Sequence, residues 1–336
     1  MKLVLIGASN NLNNFNVQIF KKLNITVKYL VTRSINDRAN FFSKKFQTSV
    51  ISYEDFKNKN DYDIAYISTH ENNRYEIARQ LILNGKDIIF EKNFLLDESK
   101  EKKLISLSKE KKTKIFQSLV AKYHNQYNQI IKRNYNKLGK ISHINLFLSN
   151  PLKDLKNYRH SSKSNGGIIN DYLNYIIEIF SKITESEIVS FDLVKEKVNE
   201  NGNETTVKFF FKFSNSITSN VLISYDLFKQ NLCEIICENG SIKFYDPITF
   251  SKKTRVDLLF TKDLFQRRIS NLKKKLIPYY KYYNLSYLIK SNIVEFNDPI
   301  YDMFENIVAK KNIINLEFNN LDLFHKIKNL NVDINN

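Results

Sequence analysis

The chain is 336 residues long, with 52 lysines and arginines against 35 aspartates and glutamates and a formal net charge of +17. Its 42% hydrophobic and 13% aromatic content suits a sizeable core and excludes wholesale disorder, and only 2 cysteines exclude a disulfide scaffold. The positive charge invites a nucleic-acid reading, but Lys, Asn, Ile, Phe and Tyr are all abundant, as an AT-rich coding sequence would make them. Charge alone therefore assigns no function.

At about 100–200 residues per domain, two domains are expected. Residues 1–7 carry one cation and an apolar run too short for a secretion signal or a membrane span, so they read as a first buried strand. Further strands are expected at 26–31, 64–68, 87–90 and 114–117, with helices at 72–84 and 97–112 between them. The second helix opens on Asp97, a suitable N-cap, and turns Leu104, Ile105 and Leu107 inward. Short apolar strands alternating with helices predict a Rossmann-type, doubly wound parallel sheet over 1–120. From 141 the rhythm changes. Strands at 141–148, 187–195, 205–213, 217–225, 232–238 and 241–245, several alternating with period 2, predict an open, mainly antiparallel sheet. One long helix at 167–182 is expected to cover a face of it. The fold class is thus α/β followed by α+β, with domains at 1–120 and 121–336. Cys233 and Cys237 are four apart and share a face of one strand, reading as core. No spacing suits a metal, so none is expected. Two free thiols without an export signal point to the cytoplasm.

The first strand runs into Gly7-Ala8-Ser9-Asn10-Asn11-Leu12, where a dinucleotide fold places its G-x-G-x-x-G turn. Only Gly7 matches; Ser9 and Leu12 stand where the other two glycines would be. Gly7, Ser9, Asn10 and Asn11 are the candidates for holding a pyrophosphate. The second strand ends in Thr32-Arg33-Ser34, where an acidic residue would bind the ribose hydroxyl of NAD. A guanidinium there suits a 2′-phosphate, so NAD(P) is the expected cofactor, with NADP favoured.

Two longer segments carry a family pattern. Asp63-Ile64-Ala65-Tyr66-Ile67-Ser68-Thr69-His70 leads through Arg74 and Leu81 to Gly85-Lys86-Asp87-Ile88-Ile89-Phe90-Glu91-Lys92-Asn93. Later come Tyr158-Arg159, then Gly166-Gly167-Ile168-Ile169-Asn170-Asp171 and Tyr175, and finally Glu234-Ile235-Ile236-Cys237-Glu238-Asn239-Gly240-Ser241-Ile242. In order and spacing this set resembles the glucose–fructose oxidoreductase / inositol dehydrogenase / rhizopine-catabolism (Gfo/Idh/MocA) family of NAD(P)-dependent oxidoreductases. The family patterns are A-T-P, then G-K-H-V-(L/F)-x-E-K-P, then W-R…G-G-x-x-x-D-x-x-x-H. His70 and Asn93 stand for the two prolines, Tyr158 for the Trp and Tyr175 for the His.

The resemblance implies an enzyme that moves hydride between nicotinamide and a carbinol or carbonyl carbon of a sugar, nucleotide sugar or cyclic polyol. It implies that Ser68, Thr69, His70, Glu91 and Lys92 border the cofactor, and that Lys92 sits between nicotinamide and substrate hydroxyl. It implies Lys92, Tyr175 and Asp171 as the catalytic set, with Tyr175 as acid/base. Lys92, Lys122, His124, Arg159, Asp171 and Tyr175 are the implied substrate contacts. A homodimer or homotetramer is expected, with a small-molecule substrate, no membrane span and no nucleic-acid partner. A second reading is a non-catalytic member that serves as a dinucleotide-binding or interaction scaffold. One basic, tyrosine-rich stretch at 267–283 stays outside both readings; it suits a base-stacking or anionic surface, or a polar helix in a subunit contact.

Overall fold

A computed structural model of the chain describes residues 1–69, 71–92, 97–154, 157–161, 166–248, 252–260, 288–310 and 319–328. His70, Asn93 and the 267–283 stretch lie outside the described residues. Two compact units emerge, one from Met1–His124 with Asn297–Asn329 and one centred on Asn125–Phe296.

The first unit is built on six strands: β1 (Lys2–Ile6), β2 (Thr26–Val31), β3 (Ser49–Ile51), β4 (Ile64–Ile67), β5 (Asp87–Glu91) and β6 (Ile115–Ser118). They pair in parallel in the order β3-β2-β1-β4-β5-β6. The near-continuous apolar runs follow from burial on both faces: Leu3, Val4, Leu5 and Ile6 have no exposed surface. Leu3, Leu5, Tyr66, Ile89 and Phe116 pack on one side with Phe15 and Phe20. Val4, Ile6, Ile67 and Phe90 pack on the other with Ala78, Leu104 and Ile105. The order reverses between β1 and β4, so the chain leaves these neighbours in opposite directions. Their carboxyl ends therefore border a crevice.

The reading from sequence placed everything after 120 in the second domain, whereas the first unit also takes in the C-terminal segment. Helix Pro299–Val308, capped by the Asp298 side chain, buries Met303, Phe304 and Ile307 in the core beside Phe15 and Phe20. The Phe304 ring stands edge-on to both phenylalanines, at 5.1 and 4.8 Å between centroids. Helix Asn319–Lys328 brings His325 Nε2 to 2.7 Å from Glu101 Oε2, both side chains almost wholly buried.

The second unit holds an eight-stranded sheet: β7 (Ile141–Ser149), β8 (Ile188–Val198), β9 (Glu204–Phe213), β10 (Thr218–Ser224), β11 (Gln230–Cys237), β12 (Gly240–Tyr245), β13 (Lys253–Phe260) and β14 (Leu288–Glu295). Its order is β14-β13-β12-β11-β7-β10-β9-β8. All neighbours run antiparallel except β7 and β10. Period 2 is plain on β9, where Val207, Phe209, Phe211 and Phe213 face the core while Lys208, Phe210 and Lys212 are exposed. Helix Ile168–Thr184 covers the inner face, with Phe180 edge-on to Phe211 and Phe213. Cys233 and Cys237 are both buried inward, and burial lifts the Cys237 thiol to about 11. Among the described residues no helix is long and apolar enough to cross a membrane.

Candidate active site

The crevice of the first unit starts at Gly7. Its φ is +93°, and a Cβ there would stand 3.2 Å from the backbone of Ser68 and Thr69, so conformation and close approach both demand glycine. Ser9, by contrast, is in ordinary extended backbone (φ −79°, ψ 159°) and needs no glycine. The chain then makes a 3-10 turn at Asn10–Asn14 instead of entering an α-helix, which drops Leu12 into the core with no exposure. The first α-helix begins only at Val17, where the Asn16 side chain accepts from the Gln18 N–H. Two family glycines are thus replaced through a different turn.

The crevice has a volume of about 360 Å³ and is lined by Gly7, Ala8, Ser9, Thr32, Arg33, Ser34, Asn36, Arg38, Tyr53, Ser68, Thr69 and Asn73. Ser9 Oγ and Thr69 Oγ1 are buried there without a hydrogen-bond partner among the described residues. An orphaned hydroxyl costs about 1–3 kcal/mol, which a bound oxygen-rich group would relieve. The Gly7 approach and these two hydroxyls fit a dinucleotide. Other expected contacts are spoken for: Ser68 Oγ donates to the Gly7 carbonyl at 2.9 Å, and Thr32 Oγ1 to the Ser34 carbonyl at 2.9 Å. Asn10 and Asn11 are exposed and do not line the crevice. Sequence reading missed Arg38 and Tyr53. Arg38 follows β2 a few residues after Arg33, whereas Tyr53 follows β3 and joins them only through the parallel pairing of the two strands. Burial raises the Tyr53 phenol, and the Arg33 charge partly counters it.

At the end of β5, Glu91 accepts from the Tyr66 phenol and from the Lys92 N–H. Tyr66 is fully buried, and burial together with the Glu91 charge holds its phenol well above its usual range. Buried Arg74 donates from Nε to the Thr69 carbonyl at 2.9 Å, and Nη1 reaches the Lys92 carbonyl at 3.4 Å. Arg74 thus ties the end of β4 to the end of β5, a role that its position in a helical pattern does not reveal. Lys122 is partly exposed on the short helix Val120–Tyr123, whereas His124 has no exposed surface.

In the second unit Arg159 Nε donates to Asp171 Oδ2 at 2.9 Å, and the Tyr225 phenol donates to the same oxygen at 3.1 Å. Asp171 lies in the first turn of helix Ile168–Thr184, where a carboxylate also meets the positive end of the helix dipole. The turn before it needs Gly167, since φ is +104° and a Cβ would come 2.6 Å from a Glu204 carboxylate oxygen. Burial, and then the Asp171 charge, push the Tyr225 phenol far above its ordinary value, so it stays a donor. Tyr175 is one turn beyond Asp171 and half-buried. Tyr225 went unseen in the sequence because it lies 54 positions from Asp171 and joins it only through the sheet.

Family comparison covers both units. A model described as "Oxidoreductase family, NAD-binding Rossmann fold" matches residues 1–118, and the "GFO/IDH/MocA C-terminal domain" matches 128–243. No curated protein matches the chain at a significant level. Among solved structures, the 3-ketoreductase KijD10 from Actinomadura kijaniata, in complex with NADP and TDP-benzene, superposes with a TM-score of 0.74 at 14% identity, over 92% of this chain and 89% of that one. UDP-N-acetylglucosamine 3-dehydrogenase GnnA from Acidithiobacillus ferrooxidans gives 0.69 at 12% identity, over 93% and 90%. The WlbA dehydrogenase from Chromobacterium violaceum, in complex with NADH and UDP-GlcNAcA, gives 0.62 at 14%, over 72% and 73%. At these identities the likeness is one of fold. With both family models in register along the chain, this protein belongs to the Gfo/Idh/MocA family of NAD-binding oxidoreductases.

Proposed function

We propose that the protein is an NAD(P)-dependent oxidoreductase acting on a CH–OH or keto carbon of a sugar, with a nucleotide sugar as the preferred class. The crevice at the β1/β4 reversal supports this most directly: in a family of NAD-binding oxidoreductases it keeps the obligatory Gly7 and offers two buried hydroxyls. The similarity in fold to nucleotide-sugar ketoreductase and dehydrogenase structures supports the substrate class.

A bound nicotinamide supplies the hydride acceptor or donor. Gly7, Ser9, Thr69 and the 32–34 loop would hold the dinucleotide, with Arg33 and Arg38 facing the 2′-phosphate of NADP. Lys92 is proposed to bind the reacting oxygen, and Tyr175 to take or return its proton. A phenol with an ordinary pKa of about 10 is a poor base near neutrality, so it needs a cation that favours the ionised form. Arg159 and Asp171 are proposed to orient the sugar. Self-association through the outer face of the second sheet, where Val194 and Phe210 are exposed, is the proposed assembly.

Cofactor titration is the first test. NADPH is expected to bind in the micromolar range, and Arg33→Ala to weaken NADPH about tenfold while sparing NADH. Failure to bind either dinucleotide sinks the proposal. A panel of nucleotide sugars then tests turnover, and Lys92→Ala and Tyr175→Phe are each expected to lower kcat by about 10²–10⁴ with NADPH affinity intact. Cofactor binding without turnover on any sugar would favour the non-catalytic scaffold.

A further inference from the structure

The substrate-side pair is held by a second layer of side chains. The Arg159 backbone lies in the 3-10 turn Tyr158–His160. The carbonyl of His160 accepts from three side-chain amides at once: Asn199 Nδ2 at 3.2 Å, Asn201 Nδ2 at 3.0 Å and Asn203 Nδ2 at 2.9 Å. All three asparagines belong to the turn joining β8 to β9. A carbonyl oxygen has two lone pairs, so three donors exceed what satisfying it requires.

The asparagine turn is itself stiffened. Asn199 Oδ1 accepts from the backbone N–H of Asn201 and of Asn203, both at 3.0 Å. The amide face of Asn199 is therefore turned outward, toward His160. The His160 ring is locked too: Nε2 pairs with the Leu152 carbonyl at 3.0 Å, Nδ1 with Asn199 Nδ2 at 3.3 Å, and the ring stands against Tyr225. With one nitrogen facing a carbonyl and the other an amide donor, the network assigns the proton to Nε2. On the other side, the Arg159 carbonyl accepts from the Gly167 N–H at 2.8 Å. A Cβ at Gly166 would come 2.4 Å from that same oxygen, which is why a glycine pair stands there.

We propose that the 199–203 turn is a positioning element that fixes the 158–160 backbone, so that Arg159 and Asp171 stand ready for the sugar before it binds. The inference rests on the function proposed above, in which Arg159 and Asp171 contact substrate. Fixing a binding group in advance removes an ordering cost from association. The asparagines thus act on affinity for the sugar and leave the hydride-transfer step and the nucleotide crevice alone.

The test uses the full-length chain with Asn201→Ala, Asn203→Ala and the double variant. Asn201 is exposed, so its variant keeps the fold even if the buried Asn203 does not tolerate replacement. Hydrogen exchange is expected to quicken at the amides of 159–161 and 167. The KM for the sugar, with UDP-N-acetylglucosamine as the binding probe, is expected to rise roughly five- to tenfold per amide removed. Values of kcat and NADPH affinity stay unchanged, and Asn201→Gln, which keeps an amide, restores part of the loss. Unchanged exchange and KM in Asn201→Ala would overturn the proposal, as would equal losses in kcat and NADPH affinity. A parent protein that binds and turns over no sugar sinks the functional reading instead. In that case exchange at 159–161 still decides: faster exchange upholds the positioning role and unchanged exchange removes it.

Discussion

The two units hold the residues of the proposed site by different means. In the first, the groups at the crevice leave the ends of strands, Gly7 and Ser9 after β1, Arg33 after β2 and Thr69 after β4. Strand pairing and side-chain bonds to main-chain carbonyls set their spacing, and two hydroxyls are left unpartnered among the described residues. In the second, Arg159, Asp171 and Tyr225 are bound to one another, and three asparagines brace the turn behind them. One site is an open frame of main chain; the other is a closed network of side chains. The first is sensitive to added atoms and the second to deleted ones.

Substitutions that exploit this contrast separate the two sites. Gly7→Val has the largest expected effect, since it combines a positive φ with a Cβ only 3.2 Å from the Ser68 and Thr69 backbone. Strain of about 1–3 kcal/mol, more if the loop shifts, should remove measurable NADPH binding in a calorimetric titration. Retention of parental affinity would show that the crevice is not the nucleotide site. Asp171→Ala should cost about 1–3 kcal/mol in denaturant unfolding, because the buried Tyr225 phenol loses its acceptor, and should weaken sugar binding while leaving NADPH affinity as it was. A matching drop in NADPH affinity would contradict the division of labour.

The smallest effect is a pH dependence in the first unit. Burial raises the Tyr62 phenol from the ordinary 10.0 to about 12, so the folded state favours the neutral form. Its contribution to stability is fully present below pH 10 and is lost as pH rises toward 12. Tyr62→Phe should flatten the alkaline fall in unfolding free energy over that window. An unaltered slope would place the responsible group elsewhere.

Much of this contrast can be traced in the sequence, in unequal parts. The apolar runs ending at Ile6, Val31 and Ile67 are consecutive residues, so their strands and the loops after them are local features. Cys233 and Cys237 shared a face as their spacing requires, and both are buried. Strands β13 and β14 were not anticipated; β13 pairs with the nearby β12, but β14 meets β13 only across a long intervening segment. Leu12 was the more instructive departure. As a letter in a glycine motif it looks like an obstruction, yet the 3-10 turn converts it into a core residue.

What the sequence determined by itself is what repeats locally: an α/β half with period-matched apolar strands, a β-rich half with alternation, and an ordered set of motifs specific enough to place the family. The tertiary structure decided which distant side chains meet. Tyr53 joins Arg33 only because β2 and β3 lie side by side. Tyr225 reaches Asp171, and Asn199, Asn201 and Asn203 reach His160, across 39 to 54 positions of chain. Helix Pro299–Val308 returns to the first core because Met303, Phe304 and Ile307 fill it. Periodicity reports the face that a residue presents, whereas a hydrogen bond or a packed ring also needs the position of its partner, and only the folded chain supplies that.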